Sequence, residues 1–218
     1  MKKNIVLFSL FILPIVAYLF FASGVNSFMK LPVITQKVQD FGNWKTLNGT
    51  TISLNGKITV VGFGGYDILK NRGNLFNLNQ MIFQRYQKFT DLQFVIICPP
   101  GTEKDARYIM QQFAAFTGGS NWYFVFAPEP EINKFHASLK LQDQLSPDFG
   151  SSKVYIIDKE RNLRGRKDEE EYKEGYDTFH PSELNNKMLD DFKIILYEYR
   201  AALRKNKNKV KGISKNEE

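Results

Sequence analysis

Few residues in this sequence combine a type and a spacing that could do chemistry. The chain has a single cysteine, Cys98, and two histidines, His136 and His180. One cysteine excludes an internal disulfide and every Cys-x-x-Cys redox or zinc motif. Because Cys98 ends an apolar run, we predict an inert core thiol, which alone could act only by sulfenylation or by pairing with another chain. Neither histidine has a second plausible ligand beside it, so only convergence of these three residues in space would create a metal site.

A polar loop offers a candidate binding surface. A glycine-rich segment at 62–65 lets the backbone turn sharply, although the Lys-Ser/Thr pair of a phosphate loop is missing. Four side chains that could bind a ligand follow it: Tyr66, Asp67, Asn71 and Arg72. Arg72 would anchor an anion or a small molecule. The acidic run at 168–171 predicts a solvated loop, with a weak cation site as the alternative, and no Ser/His/Asp set or acid pair indicates an enzyme.

The elements that must position these residues alternate between strands and helices. Three β-branched or aromatic runs are typical of parallel strands buried on both faces, at 57–63, 92–98 and 122–126. Apolar residues at helical spacing follow each run, and a long amphipathic helix begins at Ser182. Two hairpins are predicted, one at 40–54 around an Asn48-Gly49 turn and one at 153–166. This order predicts an α/β fold of thioredoxin-like type, with helices flanking a mixed sheet.

The N-terminus predicts a membrane anchor. Residues 5–23 contain no charged side chain, and a helix needs about 20 apolar residues to cross the hydrocarbon layer. Lys2 and Lys3 precede this run, so the positive-inside tendency predicts a single-pass protein of the cytoplasmic membrane with its C-terminal domain on the extracytoplasmic side. A cleaved signal peptide ending near Ala22-Ser23-Gly24 is the alternative. Either way, the domain that follows is predicted to be exported.

The distribution of charge argues against nucleic acid as a partner. The formal net charge is +7, but the excess of basic residues lies at the two ends, and the rest of the chain is close to neutral. A basic end can contact anionic lipid, although a solvated tail is the simpler prediction. The predicted divisions are an anchor at 1–24, a stalk at 25–39, a thioredoxin-like domain at 40–205 and a basic disordered tail at 206–218.

Six short motifs follow one another between residues 40 and 200. They are Leu-Asn-Gly-Thr-Thr-Ile-Ser-Leu at 47–54, Gly62-Phe63, Cys98-Pro99-Pro100-Gly101-Thr102, Asn121-Trp122-Tyr123-Phe124, Tyr155-Ile156-Ile157-Asp158 and Leu163-Arg164-Gly165. In this order, behind an N-terminal anchor, they resemble the Sco (SenC) family of membrane-anchored thioredoxin-like proteins, which are associated with copper delivery to cytochrome oxidase. The resemblance implies a thioredoxin-like fold and a copper site.

The chain departs from the family where the copper would bind. Family members hold copper with a Cys-x-x-x-Cys on the loop after the first core strand and with a distant histidine, which are soft ligands. Matching Phe63 and Asn77 to the family places the two cysteines at Asp67 and Asn71, and the histidine near Gly150. None of these can replace a thiolate or an imidazole, and Asp67 offers one hard oxygen of the kind that Mg²⁺ or Ca²⁺ prefers. The resemblance therefore implies a degenerate site without a metal or other cofactor.

These observations favour a non-enzymatic relative of the Sco proteins. We predict a docking or assembly factor that binds an envelope protein, related to cytochrome oxidase biogenesis. Two alternatives stay open. One is a copper metallochaperone or thiol-disulfide oxidoreductase of the family's usual kind, and the other is a small-molecule or anion-binding module that uses the polar loop.

Overall fold

The computed structural model describes residues 10–16, 18, 30–117, 120–168 and 171–213. Residues 10–16 and 18 are helical, and the rest of the predicted anchor lies outside the described residues. Within the described part of the chain, no helix combines the length and the apolar character that a bilayer crossing requires.

A mixed sheet forms the centre of the domain. The described strands are β1 (Val33–Thr35), β2 (Lys45–Thr46), β3 (Ile58–Gly64), β4 (Leu92–Cys98), β5 (Trp122–Phe126), β6 (Gly150–Ile157), β7 (Leu163–Arg164), β8 (Arg166–Asp168), β9 (Glu171–Lys173) and β10 (Tyr176–Asp177). The sheet order is β1-β7-β6-β3-β4-β5-β2, with β10 also paired to β6, and β8 and β9 form a separate ribbon. Strands β3, β4 and β5 are parallel, and β6 joins β3 antiparallel.

Helices cover both faces of this sheet. They are α1 (Arg72–Leu78), α2 (Gln84–Tyr86), α3 (Glu103–Thr117), α4 (Glu129–Leu139), α5 (Pro181–Glu183) and α6 (Leu189–Ile213). A π-helical segment, Asn79–Phe83, joins α1 to α2, and a second one, Leu184–Met188, joins α5 to α6. Helices α1, α3 and α6 pack on one face, and α4 packs on the other.

The central strands are buried because each face has its own apolar core. All seven residues of β3 and all seven of β4 are buried. Val60 packs in the cluster that contains Phe113 of α3, whereas its neighbour Val61 packs in the cluster that contains Phe135 of α4. Successive side chains of a strand point to opposite faces, so an unbroken apolar run is needed here. The three predicted parallel strands and the hairpin at 153–166 are confirmed.

The predicted hairpin at 40–54 is wrong. A turn does form there, with the Gly49 N–H bonded to the Thr46 carbonyl at 2.9 Å, but the strand before it, β2, pairs with β5. The far arm forms no strand. Instead, the Leu54 N–H donates to the Asp40 carboxylate at 2.8 Å. This backbone group is thus bonded to a side chain and not to the backbone of a neighbouring strand.

Two predicted boundaries differ from the structure. The segment predicted as a stalk, 25–39, contains β1, and its residues Leu31 and Val38 are only 4% and 1% exposed. This part of the chain therefore belongs to the domain from Leu31 onward, because its few apolar side chains complete the core. At the other end, α6 continues to Ile213, through most of the segment predicted to be a disordered tail.

Candidate functional site

The loop after β3 and the loop before β6 meet at the end of the sheet. Gly65, directly after β3, has a φ of +69°, and a Cβ placed on it would lie 2.8 Å from both the Asp148 carbonyl oxygen and the Gly150 nitrogen. The Tyr66 N–H donates to the same Asp148 carbonyl at 2.9 Å. Only glycine fits such a contact, because it has no side chain and tolerates a positive φ. Gly65 thus holds the two loops together.

A polar cavity of about 490 Å³ lies beside this contact. Its lining includes Asn71 from the first loop and Gly150 from the second. These are two of the three positions at which the resemblance places metal ligands, and the fold brings them to one cavity. The charged groups of the lining include Lys70, Asp148 and Lys153.

A hydrogen bond favours the charged form of one carboxylate at the cavity, that of Asp148. The Ser146 hydroxyl contacts Asp148, and this hydrogen bond, helped by the Gly150 N–H and by Lys70, holds the pKa of Asp148 below its ordinary value although burial opposes the shift. Lys153 forms an ion pair with Asp143. The cavity therefore presents balanced charges and hydroxyl groups, which can bind a polar ligand by hydrogen bonds and ion pairs.

The other candidates from the polar loop lie around the cavity without lining it. Tyr66 is 45% exposed, its hydroxyl donates to Glu129 at 2.7 Å, and its ring packs edge-on against Phe149 at 6.1 Å. Asp67 is exposed and its carbonyl accepts the Lys70 N–H at 3.1 Å, which makes it a turn residue. Arg72 is exposed at the start of α1, outside the cavity lining.

The Cys98 thiol is sealed inside the domain at the end of β4. It is 0% exposed and lies against Gly64, where an added Cβ would be 2.7 Å from the sulfur. Burial raises the pKa of the thiol to about 12, although hydrogen bonds with Thr102 and Gly64 act in the opposite direction. Because the thiolate is the reactive form of cysteine, a thiol in this position is unreactive near neutral pH.

The two histidines lie in different surroundings and do not meet Cys98 at a common site. His136 is half-buried on α4, with its ring 5.4 Å from that of Phe63. Burial lowers its pKa, and Asp143 opposes the shift. His180 is exposed, and its Nδ1 lies 2.9 Å from an Asp177 carboxylate oxygen.

Copper does not fit the donors that the structure places at the loop. Asp67, Asn71 and Gly150 supply oxygen and amide groups, whereas Cu(I) prefers thiolate and imidazole. Across the described residues, no three side chains of His, Cys, Asp or Glu are grouped so that they could hold a metal ion. In the acidic run at 168–171, Asp168 ends β8 and Glu171 begins β9, whereas residues 169 and 170 lie outside the described residues.

Comparisons with known proteins show the fold. No protein-family model and no curated protein sequence matches the chain. A candidate protein disulfide isomerase from Bacteroides thetaiotaomicron is similar in structure, with 16% identity and a TM-score of 0.52 over 80% of this chain and 98% of that one. A candidate electron transfer protein from Aquifex aeolicus VF5 has 12% identity and a TM-score of 0.50, over 77% of this chain and 92% of that one.

Copper-bound ScoI from Arabidopsis thaliana is also among the similar structures, with 17% identity and a TM-score of 0.46 over 72% of this chain and 98% of that one. At such identities, structural likeness concerns the fold alone. The chain has a thioredoxin-like fold, a mixed sheet with helices on both faces, as its element order predicts.

Several cavity residues were missed by reasoning from the sequence. They are Lys70, Asp143, Ser146, Asp148 and Lys153. The Ser146-Pro147-Asp148 sequence is a turn signal, and it directly precedes a buried strand, so it could have been noticed. This segment lies beside Lys70 because Gly64 of β3 pairs with Gly150 of β6. No local sequence pattern predicts that pairing.

Proposed function

We propose that this chain is a non-catalytic binding protein of thioredoxin-like fold. In this proposal the N-terminal segment holds it in the membrane, and the domain outside the cytoplasm docks an envelope protein at the polar cavity. The observation that carries the proposal is the cavity itself. The loops after β3 and before β6 meet beside it, and its lining offers amide, hydroxyl, ammonium and carboxylate groups in place of redox or soft metal-binding groups.

The chemistry of these groups favours binding over catalysis. Thiol-disulfide exchange needs an accessible thiolate, and Cys98 is sealed at the end of β4 with a raised pKa. The cavity groups can instead pair with complementary charges and hydrogen-bonding groups on a partner. Tyr66, which is 45% exposed beside the cavity, adds an aromatic surface of the kind that commonly anchors protein interfaces.

Photocrosslinking in native membranes tests the docking site. A benzophenone amino acid would replace Asn71 in the cavity lining and, as the matched control, Lys88, an exposed residue at the opposite end of the sheet. We expect a discrete adduct with an envelope protein from position 71 and none from position 88. Adducts that are absent from both positions, or identical at both, would contradict the proposal.

Activity and copper assays test the non-catalytic part. In an insulin-reduction assay, the full chain should not differ from buffer or from Cys98→Ala. In a Cu(I) titration against a competing chelator, neither protein should take copper from the chelator. Turnover or tight binding that disappears in Cys98→Ala would favour the copper-delivery or oxidoreductase alternative instead.

A small-molecule or anion-binding module is the second candidate function. It is favoured by the volume of the cavity, about 490 Å³, which lies within the range of small-ligand pockets, about 300–1,000 Å³. The cavity lining contains Lys70, and also Lys153 in its ion pair with Asp143, but it does not contain Arg72. Ligands found by thermal-shift screening should therefore lose their effect in Lys70→Ala and keep it in Arg72→Ala. Hits that both variants leave unchanged would exclude the cavity as their site.

A further inference from the structure

The backbone of Leu31, at the start of the domain, is fixed against α6. The Leu31 N–H donates to the Glu198 carboxylate at 2.9 Å, and the Leu31 carbonyl accepts hydrogen bonds from the Arg164 guanidinium at 2.6 and 3.0 Å. Arg164 also pairs with Glu198 at 2.8 Å and with Asp158 at 3.0 Å. This Arg164 clamp (Arg164, Asp158, Glu198 and the Leu31 backbone) sets where the chain enters the domain.

Helix α6 leaves the core just after the clamp. Phe192, Ile195 and Leu196 are buried, whereas residues 201–203 are exposed. The helix backbone nevertheless continues to Ile213. We call residues 200–213 the basic segment, because it contains no acidic residue and six basic ones: Arg200, Arg204, Lys205, Lys207, Lys209 and Lys211.

A helix of this composition is unfavourable in water without a partner. Most of the stability of a helix in a protein comes from the packing of an apolar face, and residues 201–203, near the start of this segment, are exposed. Moreover, Arg200 and Arg204, Lys205 and Lys209, and Lys207 and Lys211 have the four-residue spacing at which like charges repel each other. An anionic surface along the segment would remove this repulsion. The partner that fits therefore carries many negative charges.

The position of the clamp indicates which anionic partner is within reach. The predicted membrane-spanning run ends at Ser23, and the chain from Ser23 to Leu31 can span at most about 28 Å. Since Leu31 is fixed beside Glu198, the basic segment begins next to this tether, and it extends by about 22 Å beyond Glu198. An anchor ending near Ser23 would thus keep the segment close to the membrane surface.

We infer that the basic segment binds the anionic lipid headgroups of the membrane that holds the anchor. This inference rests on the anchor in the proposed function, and it is independent of the docking cavity. The attraction is electrostatic, so it needs anionic lipid and weakens with salt. With one attachment through the anchor and a second through the basic segment, the clamp would fix the orientation of the domain at the membrane.

Hydrogen exchange of the full chain in lipid nanodiscs tests the inference. The discs contain phosphatidylcholine alone or phosphatidylcholine mixed with phosphatidylglycerol. We expect the backbone amides of residues 200–213 to exchange about tenfold more slowly, or slower still, in the anionic discs, with the difference removed by high salt. Equal exchange in the two kinds of disc would overturn the inference.

Two charge-matched variants separate a local effect from one of net charge. Replacing Lys205, Lys207, Lys209 and Lys211 by glutamine should abolish the protection. Replacing Lys45, Lys88, Lys104 and Lys134, four exposed lysines outside the basic segment, by glutamine should preserve it. Equal behaviour of the two variants would also overturn the inference.

Two further readouts distinguish the possible failures. Retention of the chain in neutral discs tests the anchor, and the crosslinks from position 71 test the docking cavity. If neutral discs do not retain the chain, the proposed anchor has failed. The inference then requires that the chain bind to anionic discs and that high salt remove this binding. If an oligonucleotide protected the segment in neutral discs more than anionic lipid does, nucleic acid would be the partner and the inference would be wrong.

Discussion

Charged side chains are largely buried and paired in the Arg164 clamp, whereas around the polar cavity they are exposed or half-buried. In the clamp, the side chains of Arg164 and Asp158 are only 9% and 10% exposed. At the cavity, the ion-paired side chains of Lys153 and Asp143 are 38% and 42% exposed. Buried groups with several partners hold a backbone in one position, while exposed polar groups remain available to a ligand. The difference therefore separates a structural network from a candidate binding surface.

Residues with a positive φ occur in both regions. Both loops at the cavity contain a residue with positive φ, Gly65 at +69° and Phe149 at +63°. A bulky residue rarely adopts such a conformation, and strained positions tend to cluster at functional sites. At the clamp, Arg164 lies in strand β7, but Arg161, in the turn between Asp158 and Arg164, has a φ of +64°. The exposure of the charged groups, rather than backbone strain, therefore marks the cavity as the candidate binding surface.

The largest effect is expected when the clamp is broken. Arg164→Met would leave the buried carboxylate of Asp158 and the largely buried one of Glu198 without their cation. Removing one partner from a buried ion pair costs about 3–5 kcal/mol. We expect the free energy of unfolding, measured by urea denaturation of the full chain in detergent, to fall by about that amount.

Arg72→Met is the control for this change, since Arg72 is exposed beside the cavity. It should alter the free energy of unfolding by less than about 0.5 kcal/mol. Equal effects of the two arginine substitutions would remove the distinction between the regions.

A smaller loss is expected when the two cavity loops are forced apart. Gly65→Ala places a Cβ within 2.8 Å of the Asp148 carbonyl at a φ of +69°. Strain of this kind costs about 1–3 kcal/mol, and the loops must separate to relieve it. Urea denaturation should show that loss, and the crosslink from position 71 should disappear.

Gly73→Ala is the matched control for Gly65→Ala. Gly73 lies in α1 and has nothing within 4 Å of an added Cβ. Alanine is the better helix former, so this variant should be neutral or more stable by up to about 1 kcal/mol. A crosslink that survived in Gly65→Ala would show that the loop contact does not shape the docking site.

The contrast between the two regions also explains what the sequence could predict. The strands β3, β4 and β5 were predictable because burial on both faces leaves an unbroken apolar run in each. The clamp could not be predicted, because Arg164 is separated in the sequence from Leu31 by 133 positions and from Glu198 by 34. In the same way, the hairpin at 40–54 failed because the partner of β2 is β5, which lies far along the chain. Local sequence patterns predict burial and turns, but they do not predict the strand pairings that bring distant polar groups together.

The smallest expected effect is a gain in stability near the cavity. The Nε2 of His136 is buried and has no hydrogen-bond partner among the described residues. A buried polar group without a partner costs about 1–3 kcal/mol, and phenylalanine has a similar ring without that nitrogen. His136→Phe should therefore raise the free energy of unfolding at neutral pH by about 1 kcal/mol.

The pH dependence of the free energy of unfolding provides a second test of the role of His136. Because burial lowers the pKa of His136 in the folded protein, the unfolded chain binds more protons once the pH falls below about 6.5. Stability should therefore fall with pH from about 6.5 down to the pKa of the folded state, and His136→Phe should remove this part of the slope. His180→Phe changes a side chain that is 63% exposed and should preserve it. A slope that His136→Phe left unchanged in urea denaturation at several pH values would show that His136 takes up its proton without loss of stability. The surroundings of this side chain would then be more open than its burial indicates.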